Sequence, residues 1–159
     1  MKIVPISALS DNYIWLIHDE ESAVCVDPGV AAPVLALLQQ KQLDLDAIIL
    51  THHHNDHIGG VADLQAAYPD VAVYGPEDIA CVNQALKEGQ ELNLLGQVWR
   101  VWFVPGHTHN HLAYILRIEG KNRLHVFCGD TLFSAGCGRV FTGTIEQLEQ
   151  SLQRFAGLP

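Results

Sequence analysis

The segment Thr51-His52-His53-His54-Asn55-Asp56-His57-Ile58-Gly59-Gly60 sets four imidazoles and a carboxylate within six positions, directly after the apolar run Ala47-Ile48-Ile49-Leu50. Crowded imidazoles compete for solvent and repel when protonated, whereas a divalent cation turns the same crowding into coordination bonds. The spacing H-x-H-x-D-H specifies the kind of site. If the chain leaves the strand extended, side chains alternate, so His52 and His54 point one way and His53 the other. One metal can then take His52 and His54. Asp56 and His57 follow where the chain must turn toward a helix over Gly59 to Tyr68, and they can reach a second metal. H-E-x-x-H sites differ, because they need a helical face.

Another cluster follows the β-like run 98–104: Pro105-Gly106-His107-Thr108-His109-Asn110-His111, ending where a new strand, Leu112 to Ile118, begins. Seven of the nine histidines thus lie in two strand-end loops. The run Leu124-His125-Val126-Phe127-Cys128 then leads to Gly129-Asp130-Thr131, a strand with a carboxylate at its tip.

Taken in order, Val26-Asp27-Pro28-Gly29, THHHNDHIGG, PGHT and Phe127-Cys128-Gly129-Asp130-Thr131-Leu132-Phe133 resemble the metallo-β-lactamase superfamily. Asp11-Asn12-Tyr13-Ile14-Trp15 and Gly136-Cys137-Gly138-Arg139 narrow the resemblance to glyoxalase II, the hydroxyacylglutathione hydrolases. By matching position, the resemblance implies a first metal on His52, His54 and His107, a second on Asp56 and His57, and Asp130 bridging both. It implies two divalent ions, zinc first, with iron or manganese as alternatives that imidazole and carboxylate ligands do not separate. Asp56 and Asp130 would be the catalytic carboxylates, and Arg139 and Phe141 would face substrate. Asp27, His53 and His111 would support the ligands from behind. His109 is left out of the ligand set, and His18 and His125 are read as ordinary core or surface residues.

The activity so implied is hydrolysis of a glutathione thioester, S-D-lactoylglutathione to glutathione and D-lactate, by a metal-bound hydroxide. Two adjacent cations can lower a water's pKa from about 15.7 toward about 7. The leaving thiolate, with a free pKa near about 8.5, needs no strong general acid. Two other readings compete: an iron persulfide dioxygenase of the same fold, and a non-catalytic metal-binding fragment.

The chain departs from the family pattern in places. Asn110 replaces a glycine, a residue type that tolerates left-handed backbone. Phe141 lacks the hydroxyl of a tyrosine. The family carries one more histidine ligand after a Leu-Pro like Leu158-Pro159, and then a helical domain that builds much of the glutathione pocket. The chain is therefore expected to be the N-terminal, incomplete part of a longer enzyme, whose cut face exposes apolar surface and invites self-association.

With 18 acidic and 9 basic side chains the net charge is −9, which disfavours nucleic acid as a partner, since phosphate binding needs clustered Lys and Arg. No run of 18 apolar residues and no leader pattern is present, so no membrane partner and a cytoplasmic location are expected. The cysteines Cys25, Cys81, Cys128 and Cys137 form no C-x-x-C pair and are expected as free thiols.

Periodicity predicts an antiparallel meander over Lys2–Ser7, Asn12–Ile17 and Ser22–Val26, then a helix over Pro33–Lys41. A buried strand over Asp46–Leu50, a helix over Gly60–Tyr68, a strand over Val71–Tyr74 and a helical stretch over Glu77–Lys87 follow. Thr144–Phe155 closes the chain as a helix, with Thr144 as N-cap and Gln147 in the capping-box position. The resulting fold class is α/β (α+β): an αββα sandwich of two sheets flanked by helices, C-terminally incomplete.

Overall fold

The computed structural model describes residues 1–118, 120 and 123–159. The strands β1 (Lys2–Ala8), β2 (Asn12–His18) and β3 (Ser22–Val26) form the predicted antiparallel meander. Helix α1 (Ala32–Lys41) carries Pro33 in its first turn and stops at Gln42, whose left-handed φ of 57° lets its N–H reach back to the carbonyls of Gln39 and Leu38. Strand β4 (Asp44–Ile49) then lies parallel to β3. A one-turn helix α2 (Asn55–Ile58), helix α3 (Val61–Ala67), β5 (Ala72–Gly75) and β6 (Gln84–Ala85) complete this half as a six-stranded sheet in the order β1-β2-β3-β4-β5-β6.

The second sheet is antiparallel, in the order β10-β9-β8-β7, from β7 (Glu91–Leu94), β8 (Gln97–Phe103), β9 (Leu112–Arg117) and β10 (Leu124–Phe127). Strand β7 was missed in the sequence because it is short and half-exposed; it is fixed by a two-residue hairpin at Leu95-Gly96, both with positive φ. After a 3-10 turn at Gly129–Thr131, helix α4 (Ile145–Ala156) ends the chain, and its capping box between Thr144 and Gln147 is formed.

Strand alternation assigns each residue to a layer. Ile14, Leu16, Cys25 and Ile48 pack on α1 and α3 through Val34, Leu38, Val61 and Leu64. The opposite faces, with Ile17, Val24, Val26 and Ile49, meet Trp99, Val101, Tyr114 and Leu116 of the second sheet. Beyond that sheet, Val104 and Ala113 pack against Phe155 of α4. These four layers are the expected αββα sandwich. A bulge where Ala23 pairs with Leu45 and Val24 with Ala47 leaves Asp46 over. The extra residue explains why Leu45 faces the helices while Ala47, of the same parity, faces the other sheet.

The helical expectation for Glu77–Lys87 is corrected by the structure, which shows turns and the short strand β6. Asn83 supplies the reason. Its Oδ1 accepts the Val73 N–H at 2.9 Å, so its side chain continues the pairing of β5. Ile79 packs in the helix-side core and Leu86 in the inter-sheet core. Residues serving two different layers cannot lie on one helical stripe.

Among the described residues no helix is long and apolar enough to cross a membrane. All four cysteines are free.

Candidate metal centre

The site forms where strands from both sheets end. β4 delivers Thr51 to His57, the β8–β9 loop delivers His107 to His111, and the turn after β10 delivers Asp130. Tyr114 in the second sheet donates its buried hydroxyl to the Leu50 carbonyl of the first, tying the two sheets together at the root of the histidine loop. His54 keeps an extended backbone, and the next residues wind into α2, so Asp56 and His57 come round on a helical turn. Asp27, at a left-handed φ of 51°, reaches under this loop. Its Oδ1 accepts the Thr51 N–H at 2.7 Å, and its Oδ2 accepts the Thr51 hydroxyl at 2.7 Å and the His57 Nδ1–H at 3.0 Å. Gly29 beside it admits no side chain, because a Cβ there would lie 2.0 Å from the Asp56 carbonyl oxygen.

The second-row contacts fix which ring nitrogens carry protons. The Thr51 hydroxyl is spent on Asp27, so its 2.9 Å contact with His52 Nδ1 requires Nδ1–H to donate and leaves Nε2 bare. His107 Nδ1 faces the Arg139 carbonyl at 2.6 Å; a carbonyl only accepts, so His107 Nε2 is bare too. Both bare nitrogens converge on His54 Nδ1, at 3.1 and 3.0 Å. At most one of these contacts can be satisfied by a proton on His54. Asp130 Oδ2 lies 3.5 Å from His107 Nε2, and ligand atoms of His52, His54, His107 and Asp130 all lie within 4.8 Å of one another.

Lone pairs locked to face each other fit a cation and are poorly served by anything else in the chain. The donor set of imidazole and carboxylate suits a divalent transition metal. Beside it, the buried His57 Nε2 has no hydrogen-bond partner: it lies 3.1 Å from Asp130 Oδ1 and 3.5 Å from Asp56 Oδ2 without the alignment to donate. Asp56 is itself steadied by the Asn12 amide at 2.9 Å. His57, Asp56 and Asp130 thus make a further face of the same centre.

The electrostatics separate the two faces. Burial first, then the neighbouring His57, His111, His107 and His54, hold His52 far below the ordinary imidazole value. Burial and His107 lower His54 likewise, and His111 falls to about 3. Burial would lower His57 as well, but Asp27 and Asp130 outweigh it and raise it to about 10. Asp130 is opposed by burial yet lowered overall by His57, His107 and His111.

His53 turns away from the cluster toward Asp78. His111 sets its Nδ1 against the Leu112 carbonyl at 3.0 Å and accepts the Asp130 N–H at 3.3 Å. Phe141 lies edge-on to the rings of His54 and His107 at 4.9 and 5.3 Å, with 58% of its surface exposed. The Arg139 side chain is exposed; what touches the site is its carbonyl. Asn110 is not left-handed; the positive φ in that loop belongs to Gly106. Thr51 and Asn12 were not assigned a role from the sequence, because their partners lie 24 and 44 positions away. A groove of about 820 Å³ opens onto Asp56, His57 and Asp130, walled by Tyr13, Trp15, Phe127, Leu132 and Phe133.

The sequence profile described as the metallo-beta-lactamase superfamily matches residues 9–159. This chain belongs to that superfamily. A hydroxyacylglutathione hydrolase from Photobacterium profundum is 49% identical over the whole chain, and one from Neisseria meningitidis 50%. The chain spans 62% and 63% of the length of these curated relatives. Among solved structures, ETHE1 from Myxococcus xanthus superposes with a TM-score of 0.81 at 32% identity, covering 97% of this chain and 69% of that one. TTHA1623 in a di-iron-bound form gives 0.78 at 30% identity, covering 100% and 87%.

Proposed function

We propose that this chain is the metal-binding part of a hydroxyacylglutathione hydrolase of the glyoxalase II type, which cleaves S-D-lactoylglutathione into glutathione and D-lactate in the cytoplasm. The reading is carried by one observation: bare nitrogens of His52 and His107 converge with His54 and Asp130, in a chain about half identical to hydroxyacylglutathione hydrolases along its whole length. His52, His54, His107 and Asp130 would hold one divalent ion and Asp56, His57 and Asp130 another, zinc being the first choice. Bound there, such ions lower the pKa of water toward about 7 and polarise a carbonyl oxygen.

The chain's own residues prepare the reaction. Asp27 keeps a proton on His57 Nδ1 and so aims the other nitrogen at the centre. The Arg139 carbonyl does the same for His107. Asn12 and the Asp130 backbone contact with His111 hold the two carboxylates in place. Phe141 shields His54 and His107 from bulk water on one side and offers an apolar wall to the acyl group. The groove is within the size range of roughly 300–1,000 Å³ for small-molecule sites, which suits a tripeptide thioester. The substrate is anionic and the chain carries −9, so attraction has to come from the ions.

The test is loss of thioester from S-D-lactoylglutathione, assayed with the full-length protein after zinc loading and elemental analysis. Turnover that vanishes in His52→Ala and His107→Ala supports the reading. Oxygen consumption with a glutathione persulfide and no thioester cleavage would favour the dioxygenase instead. A bound ion without either activity would leave a metal-binding role.

A further inference from the structure

On the far side of the histidine loop, three more ligand-type side chains approach one another. His53 lies in the loop after β4, Asp78 in the turn after β5 and His109 in the β8–β9 loop. The His53 Nδ1 atom is shut off from solvent yet has no hydrogen-bond partner. Asp78 Oδ2 lies 3.6 Å from it and 3.9 Å from His109 Nε2. Both separations are too long for hydrogen bonds. They are close to the roughly 3.3–3.5 Å between ligands that each sit about 2.0–2.1 Å from one tetrahedral ion.

His109 is presented for this purpose by its neighbours. Thr142 Oγ1 accepts the His109 backbone N–H at 3.1 Å and contacts ring Nδ1 at 3.2 Å, leaving Nε2 as the nitrogen turned to Asp78. The His53 and His109 ring centres are 6.5 Å apart, somewhat wide for a shared ion. The His109 side chain is 55% exposed, so closing that distance moves a surface ring and gives up its Thr142 ring contact rather than disturbing the core.

We propose that His53, Asp78 and His109 form an accessory site for a divalent transition metal, separate from the main centre, with water filling its open positions. Two imidazoles and one carboxylate favour zinc, nickel or copper over magnesium or calcium. The site draws its ligands from three loops, two of which also carry ligands of the main centre. An ion held here would clamp those loops together from outside. Because the open positions and the half-exposed ligands weaken the grip, it fills after the main centre does.

Zinc uptake by the full-length protein distinguishes the possibilities. The protein is first loaded with zinc, freed of excess, and then dialysed against graded free zinc with elemental analysis. Wild type should take up one further, weaker equivalent, accompanied by a rise in Tm. His109→Ala and Asp78→Asn should bind that equivalent at least ~10-fold more weakly, a loss at the lower end of that seen when partners of metal ligands are removed. Both variants should retain the ions present before dialysis. His109 is exposed, so its alanine variant is expected to fold normally even if the Asp78 variant does not. No further equivalent in wild type, unchanged uptake in His109→Ala, or loss of the main ions in His109→Ala would each overturn the proposal. None of these readouts uses thioester turnover, so an inactive protein could still carry this site.

Discussion

Asp27 and His57, thirty positions apart, meet at 3.0 Å beneath the metal loop, both nearly excluded from solvent. The carboxylate fixes the ring's tautomer, so the unpartnered His57 nitrogen faces Asp56 and Asp130. Removing it strands a buried imidazole and two Thr51 donors. Breaking a buried, hydrogen-bonded pair by deleting one member costs about 3–5 kcal/mol. Asp27→Ala should therefore lower the unfolding free energy of the metal-free protein by about that amount, measured by urea denaturation. A loss under about 1 kcal/mol would mean the pair is not the support described.

Thr51 relays the same carboxylate to the other face of the centre. Thr51→Val keeps the shape but removes the hydroxyl that His52 Nδ1 meets at 2.9 Å, and the buried ring has no solvent to replace it. The ring can then turn or change tautomer, and its nitrogen is no longer committed to the ion. Metal affinity should fall roughly 10–100-fold, read by competition with a chelator, with secondary structure unchanged by circular dichroism.

These supports mark the boundary of what the sequence discloses. Local patterns showed the meander, the α4 capping box and the crowding of His52, His54, Asp56 and His57, because each signal lies within one turn or one strand. The fold of the centre was reached through the order of the motifs, not their spacing alone. Residues 77–87 misled, since their apolar side chains serve two layers and mimic a helical count. Asn12, Thr51 and the Arg139 carbonyl stayed hidden for another reason: a partner dozens of residues away leaves no local trace, and a carbonyl leaves none at all.

The metal-free protein should be most stable near neutrality. The depressed groups His52, His54 and His111 stay neutral when folded but protonate near pH 6.5 when unfolded, so the unfolded chain binds more protons as the pH falls. Their contribution is complete above about pH 6.5 and is lost progressively below it, toward about 3 for His111. His57 has the opposite sign: its raised value favours the folded state below about pH 6.5, and that stability drains away as the pH rises toward about 10. Urea midpoints of the metal-free protein between pH 4 and 10 should trace a dome. A midpoint still rising below pH 6 would contradict the burial of neutral imidazoles. Because His57 must lose its proton to bind an ion, filling of its face should strengthen with pH and release a proton, measurable by calorimetry in buffers of different ionisation heat.

Gly138 offers a sharper probe of the centre, because it is buried against it while the loop residues just before it are exposed. A Cβ there would fall 1.9 Å from the Asp130 carbonyl oxygen and 2.8 Å from His107 Nδ1. The first contact is with backbone and cannot be relieved by a rotamer, so the turn bearing Asp130 and the segment bearing the Arg139 carbonyl, which holds His107, must move apart. The nearby Gly136 has nothing within 4 Å of its own would-be Cβ and serves as the control. Gly138→Ala should thus lose metal affinity by at least ~10-fold and also lower the metal-free unfolding free energy by about 1–3 kcal/mol, the usual cost of forcing backbone to shift around an added group. Gly136→Ala should match wild type in both. Equal metal retention by the two variants would show that Asp130 and His107 do not depend on the close approach of this loop.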